Sequence, residues 1–139
     1  MGIILTIHSH NRWLVLLLAV AVIIKLLVIK FGKKEWTALD TWLTRSYTIL
    51  MSIQFVLGII LFFNIATALG WEMSPLRKQF EHLVSMLIAI AFSHIIAKYR
   101  SLPSQERATK TLRMVALSLV FVFAGVAQLR GLGFWFGGM

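Results

Sequence analysis

The sequence predicts an all-α integral membrane protein, an up-down-up-down bundle of four transmembrane helices forming one domain over residues 1–139. Three observations carry that prediction. Hydrophobic residues make up 59% of the chain, against roughly 45–50% in a soluble domain, and one small globule cannot bury that excess. The mean hydropathy is +0.84. The apolar residues gather into four continuous runs, each near the ~20 residues that cross ~30 Å of hydrocarbon. Continuity rather than alternation argues against strands, because lipid admits only helices and closed barrels.

The helices are expected at about 4–31, 46–68, 79–99 and 109–130. The first run is apolar from Trp13 to Ile29 and extends back toward Ile3 if the polar stretch His8–Arg12 is helical. Met1 to Ile7 carries no basic residue and no evident cleavage site, so this helix is expected to be retained. Gly32-Lys33-Lys34-Glu35 ends it, and Gly70 and Pro75 separate the second helix from the third. Ser101-Leu102-Pro103-Ser104, followed by Gln105-Glu106-Arg107, reads as a turn and a polar helix start. The tail after Arg130 is glycine-rich, and its Phe134, Trp135 and Phe136 suit a membrane interface.

The formal net charge is +9, and its distribution sets orientation rather than nucleic-acid binding. Lys30, Lys33, Lys34 and Arg45 crowd the first link, and Lys98, Arg100, Arg107, Lys110 and Arg113 the third. The middle link offers Arg77 and Lys78 against Glu72 and Glu81. The positive-inside rule puts the first and third links in the cytoplasm and both termini on the outer side. Cysteine is absent, which excludes disulfides, thiolate metal sites, iron–sulfur ligation and covalent c-type haem. No P-loop, dinucleotide fingerprint, zinc-protease helix or nucleophile elbow occurs. Glu35, Asp40, Glu72, Glu81 and Glu106 all fall at links or helix ends, which argues against ion transport through buried carboxylates.

Ionisable groups inside a membrane are costly and point to function. His8, His10 and Arg12 enter on the outer side of the first helix, and His82 enters on the same side of the third. Two imidazoles at similar depth on two helices are what a bis-imidazole b-type haem needs, with Arg12 able to pair with a propionate. His8 and Arg12, four residues apart, share a face with Val15, Ala19 and Val22, whereas His10 shares its face with Leu14, Leu17 and Ala21. If Arg12 faces the bundle, so does His8; His10 stays the alternative ligand. On the third helix His82, Ser85, Met86, Ala89 and Ser93 form a small, polar stripe that lets a helix or a flat macrocycle approach. The competing structural explanation is plain: histidines often sit at helix ends as interfacial polar groups, and small stripes are ordinary helix contacts.

His94 lies twelve residues beyond His82, so about 18 Å deeper and rotated by about 120°. A second haem there lacks a facing histidine. A hydrogen bond with Gln54, or a quinone pocket using both, is the expectation, against a simple polar pair joining helices. Lys25 is expected to snorkel toward cytoplasmic headgroups, and Gln128 to cap the outer site or meet water.

His8-Ser9-x-x-Arg12-Trp13, Gln54-x-x-x-Gly58, Glu81-His82-x-x-x-Met86 and a glycine-rich aromatic end after Arg130 together resemble the small bacterial four-helix membrane proteins generally labelled cytochrome b-like. The resemblance covers most of the chain through short motifs. Ala127-Gln128-Leu129 departs from the aromatic–proline segment expected before the terminal arginine. The resemblance implies a haem-binding or redox-associated membrane protein, expected in the bacterial inner membrane, where the loop charges put its termini in the periplasm. Such a protein would transfer single electrons near the outer leaflet as a b-type cytochrome or a subunit of a respiratory or photosynthetic complex. The other class open to the sequence is a cofactor-free accessory subunit that binds lipid or quinone and other membrane subunits.

Overall fold

The computed structural model describes residues 2–130; the aromatic tail lies outside the described residues. These form α1 (Gly2–Gly32), α2 (Ala38–Ala68), α3 (Met73–Ile95) with a 3-10 turn at Ile96–Tyr99, and α4 (Ser104–Arg130). No strand occurs among the described residues. All four helices are long and apolar enough to cross a membrane, which makes this a multi-pass membrane protein in a lipid environment. α1 and α3 each contact both α2 and α4, closing a ring of four.

The bundle is narrow. At most 28% of the most apolar stretch of any helix is buried, so most of its hydrophobic surface points outward at lipid. On α1 the inward stripe is Val15, Ala19, Val22, Leu26 and Ile29, all nearly inaccessible, at the 4-3-4-3 spacing of one helix face. Leu14, Leu17, Ile24 and Phe31 lie exposed on the other faces.

Three helices start earlier than the expected 46, 79 and 109: α2 at Ala38, α3 at Met73 and α4 at Ser104. α2 begins at Ala38 because Thr37 and Asp40 form a capping box: the Thr37 N–H and hydroxyl both donate to Asp40 Oδ2 at 2.8 Å, and the Asp40 N–H donates to Thr37 Oγ1. That polar turn carries no apolar signal. α3 begins at Met73, and Pro75 is tolerated because the first amides of a helix have no intrahelical partner.

Asp40 corrects a second expectation. It is 1% exposed, and its Oδ1 lies 3.4 Å from Lys25 Nζ. A carboxylate at a helix start is therefore buried in the bundle, and Lys25 turns to it rather than snorkelling. The α1–α2 link is also tied to α4. Ser104 Oγ accepts from the Trp36 N–H at 2.7 Å and donates to Glu35, Gln105 Nε2 donates to the Ile29 carbonyl, and the Arg107 guanidinium sits 4.0 Å above the Trp36 ring.

Between α2 and α3 the chain turns through Gly70 at φ 63° and Trp71 at φ 62°. Both are left-handed, and Trp71 is held there by edge contacts with Phe62 and Phe63. A Cβ at residue 70 would meet nothing within 4 Å, so Gly70→Ala isolates the backbone term. It should destabilise the fold by about 1 kcal/mol, read as a lowered thermal midpoint in detergent with helical content unchanged.

Candidate functional site

All four helices contribute to a cavity of about 120 Å³. α1 brings His8 and Arg12 to its wall, one turn apart, with Val15 on the same stripe. α2 brings Gln54 and Gly58, again one turn apart, and then Leu61 and Phe62. His82 and Met86 come from α3, and Val122, Val126 and Arg130 from the last turns of α4. Residues early in α1 and α3 thus meet residues late in α2 and α4 at one end of the bundle.

Both histidines of the cavity are placed by their surroundings. His82 Nδ1 lies 2.9 Å from the Gly125 carbonyl. A carbonyl only accepts, so this nitrogen carries the proton, and a neutral ring then has its lone pair on Nε2. Gly125 permits the approach: a Cβ there would overlap the Met86 methyl and stand 3.0 Å from Ser85 Cβ. His8 packs over Gly58, where an added Cβ would lie 3.3 Å from its Cε1. The His8 carbonyl accepts from Gln54 Nε2 at 2.8 Å, while its buried Nδ1 has no hydrogen-bond partner among the described residues.

The remaining candidates sit elsewhere. His10 is exposed and donates from Nδ1 to its own helix at the Thr6 carbonyl, 2.8 Å away. Ser85 is buried and donates to Gln128 Oε1 at 2.8 Å, joining α3 to α4. Gln128 is therefore a partner of α3 rather than a cap on the cavity. His94 is exposed and hydrogen-bonds Ser52 at 3.1 Å. The expected Gln54–His94 bond is replaced by this one, and for a geometric reason. Ser52 and Gln54 are two residues apart, so they point to nearly opposite sides of α2. Ser52 faces α3, and Gln54 faces α1.

Asn11 escaped the sequence reading. It is 8% exposed, and its Nδ2 donates to Gln54 Oε1 at 2.9 Å. Asn11 and Val15 stand four apart on the inward stripe, so the periodicity that selected Val15 could have selected Asn11 as a buried polar residue needing a partner. Together Asn11 and Gln54 set the depth of the His8 turn against α2.

Among the described residues no three His, Cys, Asp or Glu side chains gather as a metal site. Two imidazoles are too few to hold a bare transition-metal ion, but they suffice for an iron whose other four ligands come from a macrocycle. No protein-family model matches the chain, and no curated protein or solved structure matches it either.

Proposed function

We propose that this is a small b-type haem protein of the bacterial inner membrane, in which His8 and His82 are the axial ligands. The observation that carries the reading is one cavity with an imidazole from α1 and an imidazole from α3, each beside a glycine. Those glycines let neighbouring side chains come close: an added Cβ would meet the Met86 methyl and Ser85 at residue 125 and the His8 ring at residue 58. The Nδ1–H bond of His82 to a backbone carbonyl is the usual second contact of a metal-bound histidine, fixing the ring and raising its basicity. Bound haem would supply reversible one-electron chemistry. The chain's own residues do the rest: His8 and His82 offer lone pairs, and Arg12 and Arg130 offer cations for carboxylates at the cavity wall. Leu61, Phe62, Leu83 and Val122 keep water out. At about 120 Å³ the cavity is smaller than the roughly 150 Å³ that holds one benzene, so a macrocycle would enter only if the lining helices moved apart.

In this reading the helices run up-down-up-down, with both termini and the haem end at the periplasmic side. The basic links Lys30–Lys34 and Lys98–Arg113 support that orientation. Electron partners would be a quinone or another membrane subunit. The apolar walls and modest volume of the cavity also favour a second reading, a cofactor-free accessory subunit that takes a lipid tail or quinone head there.

A reduced-minus-oxidised spectrum separates the two. Protein purified from cells with ample haem should show a b-type α-band; its absence rejects the cytochrome reading and leaves the accessory subunit.

A further inference from the structure

The cavity between the four helices is small, and its wall is cationic. Arg12 and Arg130 line it together with the imidazoles of His8 and His82, and among the described residues that line it there is no Asp or Glu. Glu81, the acid nearest in sequence to this wall, is held by Arg77 at 2.9 Å. Asp40 lies in the first turn of α2 with Lys25. Arg12 stands in the field of Arg130, so two like charges meet at one wall. Both guanidiniums make further contacts of their own, and still the described lining carries positive side chains and no negative one. Cations at membrane depth are costly, and an anion between them is the natural complement.

Size narrows the choice. Scaled from the roughly 150 Å³ that takes one benzene, a cavity of about 120 Å³ takes about five non-hydrogen atoms. We infer that this cavity binds a short monocarboxylate of about three carbons, with its carboxylate toward α1 and its carbon chain among Leu61, Leu83 and Val122. This rests on the cofactor-free reading of the cavity and names its ligand. The α1 side receives the charge for two reasons. Arg12 offers a planar two-point contact to a carboxylate, and the buried His8 Nδ1, which has no hydrogen-bond partner among the described residues, donates when it carries the ring proton. On the α3 side, His82 commits Nδ1–H to the Gly125 carbonyl, and the lone pair on Nε2 of the neutral ring repels an anion. The apolar walls favour a carboxylate with a carbon chain over a fully hydrated inorganic anion.

The test uses the full chain in a neutral maltoside detergent, with propionate as the probe and the thermal midpoint and calorimetric titration as readouts. Propionate should raise the midpoint in a concentration-dependent way. Propionamide has the shape without the charge, and chloride the charge without the chain; neither should do so. Benzoate, too large for the cavity, should bind at least about tenfold more weakly than propionate. Arg12→Gln should weaken propionate about tenfold or more, as expected for the loss of a charged hydrogen-bond donor. Val122→Ala gives an independent readout: it lengthens the apolar end and should shift the preference from propionate toward pentanoate. An equal response to propionate and propionamide, or a helical Arg12→Gln that binds propionate as wild type does, would overturn the assignment. So would an unmoved chain-length preference in Val122→Ala, or a response to decanoate with none to propionate. Haem in the purified chain would remove the cofactor-free reading and this ligand with it; a haem-free chain indifferent to propionate would remove the ligand alone.

Discussion

If the chain binds haem as proposed, His82→Ala should weaken that binding by at least about a hundredfold, since even outer contacts of a metal ligand contribute ten- to a hundredfold. The side chain lines the cavity and is oriented before any ligand arrives, through the Gly125 carbonyl. Its removal takes away both a donor and the ring that fills the α3 wall. The controls are the two histidines that the fold keeps apart from the cavity. His10 bonds its own helix and His94 bonds Ser52, so His10→Ala and His94→Ala should leave haem content and spectrum as in wild type. The measurement is haem per polypeptide, with circular dichroism showing that each variant remains helical. Equal haem loss in all three variants would mean that no particular pair of imidazoles is responsible. Unchanged haem in His82→Ala would remove this residue from the site.

Much of this was legible in the sequence because lipid makes hydropathy speak plainly: four apolar runs gave four helices. The four-residue spacing of His8 and Arg12, continued by Val15, Ala19 and Val22, marked an inward face, and those residues do line the cavity or the core. Three things stayed hidden for physical reasons. Helix starts made by polar capping leave no hydropathy mark, which is why α2 begins at Ala38 and not near residue 46. Buried polar pairs depend on which helices become neighbours: Gln54 meets Asn11 and His8, not His94. The contribution of Gly125 is a backbone carbonyl and a missing Cβ, and a one-letter code shows neither its direction nor the Met86 methyl it accommodates.

At the opposite end from the cavity histidines, Asp40→Ala should have the largest effect on stability, about 3 kcal/mol. The Asp40 carboxylate accepts the Thr37 N–H and hydroxyl through one oxygen and faces Lys25 Nζ through the other. Losing the box alone costs about 1 kcal/mol. Leaving Lys25 without its anion adds a further penalty of up to about 3–5 kcal/mol for a fully buried pair, reduced here because Lys25 is 35% exposed and can turn toward headgroups. Lys25→Met leaves the Asp40 carboxylate buried but still held by the Thr37 N–H and hydroxyl and within the field of Arg107, so it should be milder, about 1–2 kcal/mol. With the anion and cation both gone, Lys25→Met/Asp40→Ala should be less destabilised than the sum of the single variants by about 1 kcal/mol, the coupling expected of groups in contact. Denaturant titration in a fixed detergent measures all three. Strict additivity would show that Lys25 and Asp40 do not act as a pair, and that Asp40 serves α2 only as its cap. Any spectrum of a ligand bound at the cavity should be unaffected in each folded variant, because Lys25 and His8 stand on separate turns of α1 with Val15, Ala19 and Val22 packed between them, and Asp40 lies in the first turn of α2.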